Sequence, residues 1–512
     1  MDMSEQRQTV YTSAQVRELD RIATEDFGVP GYELMTRAGQ ATFDLIKVNW
    51  SQVHEVCVFC GAGNNAGDGY VVARLALQAG WQVMVWALVP AERLQGDAAQ
   101  ACQDFVQAGG VVQPFQPGAV PIRQCSQSGD ANSGAARVPE RVFVDALLGT
   151  GLQRDVSGAF AAAVNWLNQQ PAPVVAVDVP SGLDADTGQV RGCAVRATAT
   201  ITYIGMKQGL LTGLARDYTG NLYFDDLRVD AAVYAGLKTD DSCWLLGQEV
   251  VQQALPPRAR CSHKGHWGHS LLVGGAQGMS GAIRLSGAAA LRSGSGLVTV
   301  ATHTAHADWL NQGQPELMVA ALESARDLRV LLSRKSALGI GPGLSQGQWA
   351  QQLLLLALEA DMPLVLDADA LNLLAGWSRQ QDNWVLTPHP AEAARLLGWE
   401  TAEVEQNRVA AVRLIQQKFG GVCVLKGAGT LIANADEVAF CAAGNPGMAS
   451  GGMGDVLTGI ITALLAQGLE LFQAAYTGVQ VHALAADRAA EQGERGLLAS
   501  DVIAQIRNVV NP

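Results

Sequence analysis

Residues 444–459 read GNPGMASGGMGDVLTG, and no other stretch of this chain limits its fold so tightly. Glycines at 444, 447, 451, 452 and 454 precede one acid, Asp455. After it, Val456, Leu457, Ile460, Ile461, Leu464 and Leu465 fall three and four apart. That spacing is one apolar face of a helix, so a glycine-rich turn feeds straight into a helix with Asp455 in its first turn. A helix start carries unpaired N–H groups and the positive end of the dipole, and glycines let an anion come close to the backbone. An acid beside a bound phosphate is electrostatically awkward, and its use is to take a proton from an attacking hydroxyl. The plainer reading is a turn whose acid only helps to cap a helix. A lone GxGD would be read that way; here companion loops favour an anion site.

Those companions recur along the chain. Thr12 and Ser13 before Val16, Leu19, Ile22 and Ala23 predict a capped helix ending near Gly28 and Pro30, and a second helix follows over about 32–48. An apolar strand over 56–59 then opens onto GAGNNAGDGYVVARLALQAG, a strand, glycine loop and helix that begin an open parallel sheet. Its loop holds Asn64, Asn65 and Asp68, is not GxGxxG and lacks the lysine of a P-loop. Taken alone it would be an Asx-type turn. Strands over 82–89, 110–113, 141–144 and 173–177, with a helix over 91–108, continue the series. The strand over 141–144 empties into Asp145 and ALLGTGLQRDVSG, and that over 173–177 into Asp178 and VPSGLDADTG. Polar residues past the carboxyl ends of several strands mark the ligand crevice of a doubly wound sheet. Asn65, Asp145 and Ser181 are hard oxygen donors suited to a monovalent or divalent cation; the alternative is that each acid caps a turn. Closing strands over 198–203 and 221–224 flank GMKQGLLTG.

Residues 115–140, rich in Gln, Ser, Gly and Ala, read as a surface insertion. Pro256 and Pro257 mark a boundary, with a linker over 241–258 between domains at 1–240 and 259–512. The second series places strands over 269–274, 297–301, 337–340, 363–366, 384–386 and 421–425, and a small-residue helix over 283–292. They empty into GGAQGMSG, GPGL, DADALNLL, TPHPAEAARLLG and KGAGT. Two glycine turns near the end of one α/β domain suit a nucleotide's phosphates, and Lys426 stands where it would meet them. No internal repeat joins the halves.

Composition narrows the partners. A net charge of −13 argues against a nucleic-acid backbone, though not against nucleotides. Nine scattered cysteines point to a reducing compartment. Cys57 and Cys60 have CxxC spacing, but their apolar run reads as a buried strand rather than a zinc or redox site. His263, His266 and His269 stand three apart on a glycine-broken loop without a supporting cysteine or acid pair, which argues against zinc. No run of eighteen apolar residues and no apolar N-terminal segment appears, so the expectation is a cytoplasmic protein without a membrane anchor.

The runs NNAGDGYVVAR, VDALLGTGL, DVPSGLDADTG and GMKQGL make the first half resemble NAD(P)H-hydrate epimerases. HKGHWGHSLLVGG, GMSGAIRLSGAAALRSGSGLVTVAT, GIGPGL, LDADALNLL, LTPHPAE, KGAGT and NPGMASGGMGDVLTGII make the second resemble ADP-dependent NAD(P)H-hydrate dehydratases. The whole, from about residue 10 to 510, is similar to the bifunctional NAD(P)H-hydrate repair enzymes; one departure is Ala391, where that family usually has glycine. The resemblance implies an α/β chain with an N-terminal Rossmann-like doubly wound parallel sheet and a C-terminal ribokinase-like α/β domain. In the epimerase it implies substrate binding by Asn64, Asn65, Ala66, Gly67 and Asp68, by Gly149, Thr150, Gly151, Leu152, Gln153, Arg154 and Asp155, and by Asp178. Potassium would sit on Asn65, Asp145 and Ser181. In the dehydratase it implies hydrate binding by Ala282, Gly343, His389 and Asp455, ADP on Lys426, Gly427, Ala428, Gly429, Thr430 and Gly454, and magnesium. The partners implied are NAD(P)H hydrates, ADP and further copies of this chain, with no nucleic acid and no membrane.

Asp455 and Asp178 are the expected catalytic residues. Asp455 would take the proton of the substrate hydroxyl as that oxygen attacks ADP, and the helix start should hold its carboxyl ionised and weakly basic. Asp178 would move the proton that lets the same carbon lose and regain its hydroxyl. A ribokinase-type small-molecule kinase shares the GxGD logic and is the alternative for the second half. A nucleotide-sensing module without catalysis is the alternative for the first.

Overall fold

The computed structural model describes residues 7–116, 141–239, 242–377 and 379–511, so most of the insertion expected over 115–140 lies outside the described residues. The chain divides into two compact units, Thr9–Asp240 and Asp241–Pro512 together with Met1–Gln8.

In the first unit a seven-stranded sheet runs in the order Val112–Pro114, Gln82–Ala87, Glu55–Cys60, Val142–Ala146, Val174–Val177, Ala199–Tyr203 and Asn221–Asp225, every pair parallel. Strand residues alternate between faces. Val56, Val58 and Cys60 join the core built with Leu34, Phe43 and Tyr70, while Cys57 and Phe59 join the one built with Ala163, Val164 and Leu167. Cys57 and Cys60 therefore point to opposite faces and cannot act as a pair; burial pushes both thiols up, that of Cys57 to about 12. Strand order reverses at Glu55–Cys60, and the carboxyl ends of Glu55–Cys60 and Val142–Ala146 flank that switch point, where a doubly wound sheet holds its ligand.

The N-terminal helix Ser13–Arg21 carries the expected cap: Thr12 Oγ1 accepts from Gln15 N at 3.2 Å, and Thr12 N donates to Gln15 Oε1 at 2.8 Å. It continues as a π-helical turn, Ile22–Asp26, closed by Phe27 N donating to Ile22 O. A short strand that sequence patterning did not show precedes it: Val10 and Tyr11 pair in parallel with Met206 and Lys207.

In the second unit the order is Met318–Leu322, Leu297–His303, His269–Gly274, Ala337–Ile340, Leu364–Leu366, Trp384–Leu386, Val422–Leu425, Thr430–Ala433, Glu437–Cys441 and Ser242–Leu245. Only Thr430–Ala433 runs antiparallel to its neighbours. The stretch expected as a linker over 241–258 is corrected here. Ser242–Leu245 pairs with Glu437–Cys441 and Val250 and Val251 enter the core, so this segment is an edge of the second unit. Its role is concealed because the partner strand, Glu437–Cys441, lies far along the chain.

The helix Met453–Ala466 packs on Ser280–Arg292 so closely that a Cβ on Gly459 would stand 2.1 Å from Ser286 O. Gly459→Ala is expected to cost about 2–3 kcal/mol, because the helices must separate. Urea unfolding of the second unit measures it, with Gly281→Ala, whose added Cβ meets open space, as control.

Candidate active sites

The strand Glu55–Cys60 leads through Gly63 into the helix Asn64–Gln78. Asn64, Asn65, Ala66, Gly67 and Asp68 are thus the start of the helix, not the loop that sequence patterning suggested. Ala66 N and Gly67 N already donate to Gly63 O, so the helix is under way before Asp68, the last residue the sequence reading placed in the loop. Gly67 packs tightly, since a Cβ there would come within 2.5 Å of Met35 Sδ and 3.0 Å of Ala98 Cα. Asn65 is buried, and neither its amide nitrogen nor its oxygen has a partner among the described residues.

Asp145 ends its strand fully buried. Its carboxylate accepts from Ser181 Oγ at 2.6 Å, Ser181 N at 2.8 Å and Leu147 N at 3.3 Å. Burial still outweighs these donors and pushes its pKa up to about 6. Leu148 N donates to Ser181 Oγ at 2.8 Å, and the Cβ position of Gly149 lies 3.4 Å from Asn65 Cβ. The loop after Asp145 therefore joins the proposed cation ligands. Gly149 and Thr150 lie at its root, Gly151 and Leu152 follow, and Gln153, Arg154 and Asp155 are exposed further along.

Asp178 takes a left-handed backbone, φ 66, which a non-glycine residue holds only under constraint. The constraint is visible. Its carboxylate accepts from Lys207 Nζ, from Thr202 Oγ1 at 3.1 Å and from Tyr203 N at 3.4 Å. Lys207 is 1 % exposed and also donates to Thr202 Oγ1 and Tyr203 O. Asp178 thus meets a buried ammonium, not packed apolar side chains. Lys207 lay in the GMKQGL run without an assigned role, because nothing local distinguishes it from a surface lysine.

In the second unit the loops after His269–Gly274 and Ala337–Ile340 bring Ala282 and Gly343 together. Gly343 has φ +58, and a Cβ there would come within 2.8 Å of Met279 O and 3.3 Å of Ala282 Cβ. His389 caps the helix Pro390–Leu397: its Nδ1 accepts from Ala391 N and Glu392 N, and Glu392 Oε2 accepts from His389 N at 2.8 Å. Burial and the charge of Lys426 hold the His389 imidazole below its usual pKa. Ala391 is an ordinary early helix position, so the departure from glycine does not disturb the cap.

Lys426 follows Val422–Leu425 and reaches Asp367 Oδ1 at 2.6 Å and Glu392 Oε2 at 3.8 Å. Asp367 is 1 % exposed and also accepts from Thr387 Oγ1 and Thr458 Oγ1, both at 2.9 Å. The Cβ position of Gly454 lies 3.3 Å from Lys426 Nζ and 3.4 Å from Asp367 Oδ2, so these three converge. Gly427 (φ 138) and Gly429 (φ 66) form the turn, with Ala428 between them, and Thr430 Oγ1 donates to Gly427 O. Arg408, fully buried, donates to the carbonyls of Leu425 and Lys426 beneath that turn. Asp487 ties down the start of the glycine run, accepting from Gly444 N and Asn445 Nδ2, each at 2.9 Å. Asp367, Glu392, Arg408 and Asp487 were not singled out from sequence.

Gly452, at φ 92, starts the helix Met453–Ala466 and places Asp455 in its first turn, as expected. The expected direction of its pKa is corrected. Burial and the nearby Asp367 carboxylate raise it to about 6 against the opposing pull of Lys426. A group poised there is a competent base near neutrality.

The family model described as NAD(P)H-hydrate dehydratase matches residues 270–508, and that described as YjeF-related protein N-terminus matches residues 31–209. The bifunctional NAD(P)H-hydrate repair enzyme of Coxiella burnetii is 45% identical over 505 residues, covering 98% of this chain and 99% of its own length. That of Escherichia coli K12 is 42% identical over 517 residues, covering 98% of this chain and 94% of its own. A solved ADP/ATP-dependent NAD(P)H-hydrate dehydratase from Bacillus subtilis, co-crystallised with ATP and magnesium, is similar at 31% identity and a TM-score of 0.47, over 51% of this chain and 96% of that one.

Proposed function

Because the chain belongs to the family of bifunctional NAD(P)H-hydrate repair enzymes, we propose how its two crevices divide that repair. The enzyme interconverts the R and S hydrates of NADH and NADPH and dehydrates the S hydrate at the expense of ADP, giving NAD(P)H, AMP and phosphate. Epimerisation belongs to the first unit, Thr9–Asp240, and dehydration to the second, which includes the 241–258 segment. The observation that carries the second assignment is the meeting of Lys426, Gly454 and Asp455 at a glycine-rich helix start.

In the dehydratase crevice ADP lies along Lys426, Gly427, Ala428, Gly429 and Thr430, with its terminal phosphate toward Gly454. The hydrate lies against Ala282, Gly343 and His389. Asp455 takes the proton of the substrate hydroxyl, whose oxygen forms a bond to the terminal phosphorus while the bond to AMP breaks. The ring nitrogen's lone pair then drives out phosphate as the C–O bond breaks, and loss of a ring proton restores the double bond. Lys426 and the amides of the glycine run stabilise charge on the moving phosphoryl group. Asp367 and Glu392 fix the lysine without reaching the phosphate. Magnesium would supply further charge neutralisation. Asp367 and Glu392 are committed to protein donors, so the ion would be held by diphosphate oxygens and water rather than by a protein cage.

In the epimerase crevice the hydrate lies along Asn64, Asn65, Ala66, Gly67 and Asp68 and the loop from Gly149 to Asp155, with Asp178 at the hydroxyl-bearing carbon. The orphaned amide of Asn65 and the uncompensated buried charge of Asp145 suit a cation, and potassium would be held by Asn65, Asp145 and Ser181. Its charge would brace the loop after Asp145. Potassium at a hundred times its dissociation constant is expected to stabilise the first unit by about 2.7 kcal/mol relative to tetramethylammonium. Asn65→Ala should erase the difference, as read by thermal melting.

No helix among the described residues is long and apolar enough to cross a membrane. A cytoplasmic site is the reading supported by Cys57, Cys60, Cys102, Cys193, Cys261 and Cys423, which are free thiols. The test of the whole is spectroscopic. The S hydrate plus ADP should regain NADH absorbance at once, and the R hydrate should follow at the rate of epimerisation. Without ADP neither should. A stoichiometric, stable phosphorylated product would overturn the dehydratase reading in favour of a kinase.

A further inference from the structure

Main-chain amides hold a diphosphate only when their peptides are turned toward it. In the turn over 426–430, Gly427 takes φ 138 and Gly429 takes φ 66, and glycines impose little direction of their own. The turn must therefore be fixed from outside. The side chain that reaches its first carbonyls is Arg408, at the start of the helix Arg408–Phe419. This inference rests on the placement of ADP along 426–430.

Arg408 Nη2 donates to Leu425 O at 3.3 Å and to Lys426 O at 3.1 Å, and Nη1 donates to Glu405 Oε2 at 3.2 Å. The Cβ position of Gly427 lies 2.9 Å from Nη2 and 3.0 Å from Nη1, so the guanidinium lies directly against the turn. The bond to Lys426 O also orients the next amide. The peptide between Lys426 and Gly427 is trans, and a trans peptide points its N–H opposite to its C=O. With that carbonyl turned onto buried Arg408, the Gly427 N–H is turned away from the core. It donates to no described residue, and Gly427 is exposed. A free donor on the open side of a glycine turn suits a phosphate oxygen. The charge behind it matters as well. A guanidinium stays protonated at neutral pH. The Arg408 side chain is 1 % exposed, whereas that of Glu405 is 43 % exposed and screened by water. The positive charge therefore acts on the turn through protein, where its field is strong.

We propose that Arg408 is a positioning residue for ADP: it holds the carbonyls of Leu425 and Lys426 so that the Gly427 amide faces the diphosphate, and its charge adds to that of Lys426 from behind the turn. Lys426 meets the phosphoryl group, and Arg408 acts through the turn. Both contributions act on negative charge, so they favour ADP over AMP. The site thereby grips the co-substrate and loosens on the product once the terminal phosphoryl group has moved to the substrate hydroxyl. A side chain that only filled space beneath the turn would favour neither nucleotide.

The experiment measures ADP-driven dehydration of the S hydrate, and its inhibition by AMP, in the full-length protein for wild type, Arg408→Met, Arg408→Lys and Ala428→Glu. Arg408→Met is expected to raise the KM for ADP about tenfold, to weaken AMP inhibition by no more than about threefold and to leave kcat within about threefold of wild type. Arg408→Lys keeps the charge without the fork and should fall between Arg408→Met and wild type. A KM for ADP within about threefold of wild type in Arg408→Met overturns the proposal, as does an equal loss for ADP and AMP or a loss confined to kcat. If Arg408→Met fails to fold, Arg408→Lys decides: a reduced preference for ADP over AMP supports the role, and an unchanged preference overturns it. Ala428→Glu sets a carboxylate on an exposed residue of the turn. Wild-type ADP affinity there would overturn the placement of ADP on 426–430, and this inference with it. Weakened affinity there beside wild-type affinity in Arg408→Met would overturn this inference alone.

Discussion

Asp455→Asn is expected to reduce ADP-driven dehydration about 10³-fold or more while ADP still binds and R-to-S exchange continues, since general base and phosphoryl positioning are lost together. Asparagine keeps the shape of the side chain in the first turn of Met453–Ala466, so the glycine run and its amides stay in place. What disappears is the group that accepts the hydroxyl proton. In the wild type that group is poised at about 6 by burial and by Asp367. The base must be deprotonated to act, so dehydration should fall tenfold per unit as pH drops below about 6 and flatten above it. Steady-state rates from absorbance recovery on the S hydrate, with ADP affinity from calorimetry, separate the two effects. Loss of ADP binding alongside turnover would show that Asp455 holds the nucleotide instead of serving as the base.

Several of these residues were legible because short apolar strands announce their own ends. Asp145, Asp178 and Lys426 each stand at or just past the end of a run such as RVFV, PVVAV or GVCVL, and the parallel-sheet rule then assigns each to the carboxyl rim of its own unit's sheet. Asp455 was legible from the glycines before it. Lys207 and Asp367 were not, each for a different reason. Lys207 acquires its role by lying beside Asp178, 29 residues away in sequence. Asp367 was quoted within a motif, but its three donors come from Thr387, Lys426 and Thr458, up to 91 residues distant. The misjudged direction of the Asp455 pKa has the same root. The helix start is local and visible in sequence, whereas burial and the Asp367 carboxylate are supplied by tertiary structure.

Lys207→Met should have the largest effect on stability. The ammonium is 1 % exposed, and removing it leaves the Asp178 carboxylate with only Thr202 Oγ1 and Tyr203 N as donors, on a backbone already held at φ 66. Breaking one side of a buried ion pair costs about 3–5 kcal/mol because the remaining charge stays desolvated. The first unit should therefore melt well before the second, and exchange should vanish while dehydration of the S hydrate persists. Adding Asp178→Asn to Lys207→Met removes the stranded charge. The double variant should recover much of the stability and none of the exchange, giving a coupling energy far larger than independent sites show. That asymmetry separates a scaffold from a catalyst. If the pair served only to hold the fold, restoring stability would restore the reaction; if it positions a proton-transferring carboxylate, stability returns and chemistry does not.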